Sequence, residues 1–183
     1  MYYHQKQFEF YSQRVKGKKA DFICNGSEHA DLSKYKEYFD FCFTSPPYFC
    51  VERYGNDDNQ SWVRYKSIDS WNTQFLHKSI DNMWPTLKSG GLLCINISDV
   101  YTNHQWSSDR RWLKICDPMN DFIDEYRDSE YRGCIGMEMA KRPNSAGAGT
   151  AKDTKQYSDE LIKLAEETKN KRFCEPIWIW EKK

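Results

Sequence analysis

Ser45-Pro46-Pro47-Tyr48 is the stretch of this sequence whose residue types converge on one chemical task. The exocyclic amine of a planar base is a poor nucleophile, because its lone pair is delocalised into the ring. A site that accepts hydrogen bonds from both N–H groups favours a tetrahedral nitrogen with its lone pair aimed at a methyl donor. The Ser45 hydroxyl and the Pro46 carbonyl, fixed by the Pro47 ring that follows, supply two such acceptors, and proline rigidity keeps them aligned. Tyr48 adds a flat face for a base turned out of its stack, worth about 1–3 kcal/mol for a single base.

The surrounding elements decide whether these groups can meet a ligand. Phe39-Asp40-Phe41-Cys42-Phe43-Thr44 reads as an aromatic-rich strand that stops at the two prolines, which neither continue a helix nor donate to a ladder. Upstream, Ala20–Cys24 reads as a short buried strand closed by the turn signal Asn25-Gly26, and residues 31–38 as a short helix. Downstream comes a polar loop over 49–67 and a helix from Ile68 to Leu87 with an apolar stripe of Trp71, Phe75, Ile80 and Trp84. Lys88-Ser89-Gly90-Gly91 reads as its end, and Leu92–Ile97 is the clearest buried strand. A helix over 118–126, a strand over 133–139, a helix over 158–168 and a strand over 176–180 continue the alternation. A further aromatic helix is expected over 2–15, and a small-residue loop over 144–153. The rhythm predicts one α/β domain over 1–183, an open sheet with helices on both faces. Ligands bind such sheets at the carboxyl ends of strands, so Asn25-Gly26-Ser27, Ser45–Tyr48 and Ser98-Asp99 are the candidates for one cleft.

Thr44-Ser45-Pro46-Pro47-Tyr48 after a strand resembles the catalytic motif of the S-adenosylmethionine-dependent DNA amino-methyltransferases, which modify the exocyclic amine of cytosine or adenine. Asn25-Gly26-Ser27 is similar to that family's loop beside the cofactor adenine. Leu87–Ile97 resembles its helix end, turn and fifth strand, and Cys174–Trp180 its closing strand. The resemblance implies a Rossmann-like methyltransferase sheet, with S-adenosylmethionine as donor and DNA as partner. It assigns Ser45, Pro46, Pro47 and Tyr48 to catalysis, and Asn25, Gly26, Ser27 and Thr44 to the cofactor. Serine in the first motif position leans toward cytosine over adenine. RNA and protein amides stay open as alternative substrates, as does a non-catalytic binding module.

The family's glycine-rich cofactor loop and the acidic residue after its second strand have no counterpart here, so the likeness begins at the family's third strand. Absence of the first two strands would leave sheet edges unpaired. Three resolutions remain: the chain is a fragment, it pairs with a partner chain that supplies the cofactor-binding half, or it closes the gap by dimerising or rearranging.

The bulk composition narrows the remaining classes. Aromatics at 16% argue for a packed core, and 27 Lys and Arg against 27 Asp and Glu give no overall field toward phosphates. Arg142 with Lys141 reads either as a phosphate contact or as solvated surface, and Asp99 either as a functional acid or as the cap of the next turn. Seven cysteines without a C-x-x-C pair, and histidines without ligand spacing, predict free thiols in a reducing cytoplasm and no metal site. No run approaches the 18 apolar residues of a membrane span.

Overall fold

A computed structural model of the chain describes residues 21–52, 55, 57–101, 112–138 and 174–183. The expected helices over 2–15 and 158–168, the loop over 144–153, and Lys141 and Arg142 lie outside them. Four strands form one open sheet in the order β1-β2-β6-β5: β1 Phe39–Thr44, β2 Leu87–Asn96, β5 Ser129–Glu138 and β6 Cys174–Lys182. A two-residue antiparallel pair, β3 Val100–Tyr101 with β4 Trp112–Leu113, follows β2.

β1 and β2 are parallel, so the chain must cross back over the sheet between them. The crossover consists of the short helix α1, Ser61–Arg64, and a long helix over 68–86, α2. Ser67 caps α2 in a reciprocal box with Ser70. The helix is α over Ile68–Trp71, π over Asn72–Leu76, α over His77–Met83 and 3-10 over Trp84–Thr86. The π turn answers a feature of the sequence: Trp71 to Phe75 and Ile80 to Trp84 are four-residue steps, but Phe75 to Ile80 is five. One widened turn adds the extra residue, and all four side chains are buried.

Helix α3, Cys116–Asp124, lies beside α2, with the Phe122 ring stacked on His77 at 4.1 Å between centroids. The two helices share a core with Leu93, Ile95, Trp178 and Trp180 of the sheet. Three indoles tie this layer down. Trp178 donates to the Ile97 carbonyl at 3.0 Å, Trp180 to Asn120 Oδ1 at 3.0 Å and Trp84 to Asp128 Oδ1 at 2.9 Å. Alternation along the strands turns Phe41, Phe43, Ile135 and Met137 to the opposite face, where Phe41 and Phe43 are 55% and 54% exposed and stack on each other. Among the described residues no strand pairs with the outer edge of β1.

Two expectations upstream of β1 are corrected. Residues 21–25 are irregular and exposed rather than a buried strand, because a strand needs a ladder partner and none lies alongside among the described residues. In place of a helix over 31–38 there is a single 3-10 turn, Ser33–Tyr35. Glu37, at a left-handed φ of 50°, bars further helix.

Lys88-Ser89-Gly90-Gly91 belongs to β2 instead of ending the helix. Phe39 pairs with Leu87 and Phe41 with Leu92, so four residues bulge opposite Asp40, and Lys88 Nζ reaches the Asp40 carboxylate at 2.7 Å. Gly90 takes a φ of 78°, and a Cβ at Gly91 would stand 2.9 Å from the Lys88 carbonyl oxygen and 3.2 Å from that of Phe39. Both opposing atoms are backbone and cannot rotate away. Gly91→Ala is therefore expected to destabilise the chain by about 1–3 kcal/mol in urea unfolding, with an unchanged m-value.

Candidate active site

The parallel ladder sets the site. Thr44, the last residue of β1, pairs with Ile95, so the next residue on each strand lies at the same level. Ser45 and Asn96 meet there, the Ser45 hydroxyl donating to Asn96 Oδ1 at 3.2 Å, and the Asn96 amide donating to the Pro176 carbonyl at 3.0 Å. Asn96 was not singled out in the sequence. Its signal was a carboxamide inside Leu92–Ile97, since a polar side chain in a buried strand is costly unless it is bonded.

Beyond Ser45 the chain folds back tightly. The Phe49 amide donates to the Pro47 carbonyl at 2.9 Å, Val51 N–H to Tyr48 O at 2.9 Å, and the Tyr48 amide to the Glu52 carboxylate at 3.1 Å. Phe49 holds a left-handed φ of 44°, a conformation that costs a non-glycine residue about 1–2 kcal/mol. Burial of its ring, edge-on to Trp71 at 6.1 Å, offsets that cost. Glu52 is the second residue that sequence reasoning missed, because nothing local distinguishes it within a polar loop.

Tyr48 is half-buried, its ring packed against the core and its hydroxyl buried beside Ser98. Burial pushes the phenol well above its ordinary range, with the charges of Glu175, Glu52 and Cys116 adding to the shift, so Tyr48 is neutral. Asp99 bonds not to the turn after it but to a distant helix start: its buried Oδ1 accepts from the Ile115 and Cys116 amides at 2.8 and 2.9 Å, and Lys114 lies 3.1 Å from Oδ2. Asp99 thereby starts α3.

Asn25, Gly26 and Ser27 do not join this cluster through a strand end. The Asn25 side chain accepts from the Gly26 amide and donates to the His29 carbonyl, closing its own loop. Ser27 docks that loop on α2, with its hydroxyl 2.7 Å from Ser79 Oγ and its carbonyl accepting from Asn82. Gly26 leaves room for the buried Glu28 carboxylate, which accepts from Tyr65 at 3.0 Å and lies 3.3 Å from Arg64. Thr44 stands at the end of β1 beside Ser45. These four residues do not by themselves fit S-adenosylmethionine: the loop's polar groups are engaged within the fold, and the described residues add no glycine-rich turn.

The family model described as DNA methylase, for enzymes of the N6/N4 type, matches residues 39–183. The chain belongs to the N6/N4 DNA methylase family. A solved structure from Thermus thermophilus, provisionally described as a DNA modification methylase and complexed with S-adenosyl-L-methionine, is 13% identical with a TM-score of 0.52. That likeness covers 86% of this chain and 53% of the other, so this member spans about half the length of its structural neighbour and shares its fold. No curated protein matches. The family match begins at Phe39, the first residue of β1, and takes in every strand of the main sheet.

Among the described residues, Cys24, Cys42, Cys50, Cys94, Cys116 and Cys134 are free thiols, and no helix is long and apolar enough to cross a membrane.

Two half-buried phenols, Tyr48 at the site and Tyr126 stacked on Trp84, give the fold a pH signature. Tyr48 and Tyr126 both keep their protons to higher pH when folded than when unfolded, chiefly through burial, with Asp81 bonding to Tyr126 as well. Their contribution is complete below the unfolded value of about 10 and is lost as pH rises through the folded values. Unfolding free energy is thus expected to fall with pH above about 10, and Tyr48→Phe to flatten that fall, as read by urea titrations across the alkaline range.

Proposed function

We propose that this chain provides the target-amine side of a methyltransferase that moves a methyl group from S-adenosylmethionine to the exocyclic amine of a DNA base, cytosine in preference to adenine. The observation that carries this reading is Ser45-Pro46-Pro47-Tyr48 at the carboxyl end of a parallel strand, with Ser45 bonded to Asn96 at the adjoining strand end. Ser45 Oγ and the Pro46 carbonyl accept the two amine N–H groups, Pro47 and the Glu52 bond hold the turn, and the Tyr48 ring supports the base. The amine then presents its lone pair away from its two acceptors, and its surplus proton leaves to water. When bound, S-adenosylmethionine supplies the electrophilic methyl group.

The donor side of the site lies with strands that would pair along the open edge of β1. A further stretch of polypeptide, a partner chain or a second copy can supply them. The 53% coverage of the structural neighbour supports that reading. A chain that binds the target base while another body carries the donor is the second reading, favoured by the engaged side chains of Asn25 and Ser27.

Incubation with S-adenosylmethionine labelled in the methyl group and duplex DNA of mixed sequence tests the proposal. Label is expected in DNA, in 4-methylcytosine after nucleoside digestion, with Ser45→Ala lowering the rate by about 10²-fold. Label in 6-methyladenine would move the base assignment. Label only in RNA or in a glutamine peptide would move the substrate class, and no transfer to any of them would leave the second reading, in which another body carries the donor, in place of the first.

A further inference from the structure

The contact between Ser45 and Asn96 has a direction that its surroundings dictate. Asn96 is buried, and its amide nitrogen lies 3.0 Å from the carbonyl oxygen of Pro176 on β6. A carbonyl oxygen can only accept, so the NH2 end of the carboxamide must face Pro176. The oxygen is then the end left for Ser45, 3.2 Å away, and it too can only accept. This orientation follows from the donor and acceptor inventory, without any need to tell nitrogen from oxygen by position. Ser45 must therefore give its single proton to Asn96, and both of its lone pairs remain for a ligand.

We propose that Asn96 is a positioning residue that fixes Ser45 as a pure hydrogen-bond acceptor for the target amine, with the Pro176 carbonyl as the anchor. The proposal rests on the methyltransferase reading above and adds what decides the polarity of Ser45. A serine hydroxyl free to rotate could instead donate to the amine nitrogen, and that bond would occupy the lone pair needed for methyl transfer. A carboxamide also cannot take the Ser45 proton, so Ser45 stays a neutral hydroxyl throughout.

Substitution by aspartate separates positioning from mere structure. A protonated Asp at position 96 reproduces the pattern, with its hydroxyl donating to Pro176 and its carbonyl accepting from Ser45. An ionised one loses its donor to Pro176 but keeps two acceptor oxygens, so it still accepts the Ser45 hydrogen bond. Asn96→Asp is therefore expected to hold Ser45 as an acceptor in either protonation state, whereas Asn96→Leu has no acceptor to do so.

The test uses fluorescence anisotropy with single-stranded oligonucleotides in pairs that differ only by the amine: cytosine against 2-pyrimidinone, and adenine against purine. The wild type is expected to prefer the amine-bearing member of one pair by about fivefold, roughly one hydrogen bond. Asn96→Leu and Ser45→Ala should each abolish the preference, and the double variant should do no more than either alone. Asn96→Asp should retain the preference at pH 5.5 and at pH 8 with unchanged circular dichroism. Should Asn96→Leu fail to fold, Asn96→Ala, equally unable to accept, takes its place. Preference retained in Asn96→Leu, or lost in a folded Asn96→Asp at pH 5.5, overturns the positioning role alone. Preference in a wild type that transfers no methyl group leaves the positioning role and favours the second reading, in which another body carries the donor, and a wild type with neither overturns both.

Discussion

The parallel pairing of β1 with β2 is the constraint from which the rest of the described fold follows. Parallel strands cannot be joined by a tight turn, so a crossover must return the chain over one face, and α2 is that crossover. The helix runs straight into Leu87, which leaves the bulge at Lys88–Gly91 to bring β2 into step with β1. Both strands then end at the same level, where Ser45 and Asn96 find each other although 51 positions separate them. The polar cluster at this edge is a consequence of strand direction, and an antiparallel pairing would send the two residues to opposite ends of the sheet.

Much of this was legible where chemistry is local. Two prolines after Phe39–Thr44 can only end a strand, and an apolar run such as Leu92–Ile97 can only be buried. The stripe of α2 was readable too, although the π turn that keeps Phe75 and Ile80 on one side was not, since its sole trace is a step of five where four was due. What escaped depends on distant partners. Ala20–Cys24 has the pattern of a strand but no ladder among the described residues, and pattern alone does not make hydrogen bonds. The start of α3 at Cys116 is set by the Asp99 side chain, 17 residues away along the chain, and not by Pro118. Asn96 looked like a blemish in an apolar strand until Pro176 and Ser45 stood on either side of it.

The energy of the fold is concentrated on one side of the sheet. Trp71, Leu76, Ile80, Leu93, Ile95, Met119, Ile123 and Trp178 are almost wholly shielded, while many of the ion pairs, such as Lys34 with Asp21 and Lys88 with Asp40, join exposed groups and add little. The other side carries apolar side chains that meet water. Among the described residues the sheet is packed on one face alone, whereas an open sheet with parallel strands is ordinarily covered on both. The family match over 39–183 and the half-length overlap with the structural neighbour fit a sheet whose described part is one wing of a larger arrangement.

Strand order also bears on how such a chain is made. β6, Cys174–Lys182, is inserted between β2 and β5, although both precede it in the sequence. Until residues 174–182 have left the ribosome, β2 and β5 have no strand to join them. Trp178 and Trp180, which cap the core from that strand, arrive at the same moment. The nascent chain therefore holds an unfinished sheet until β6 emerges, and closes this core in one step when the inner strand slides into place.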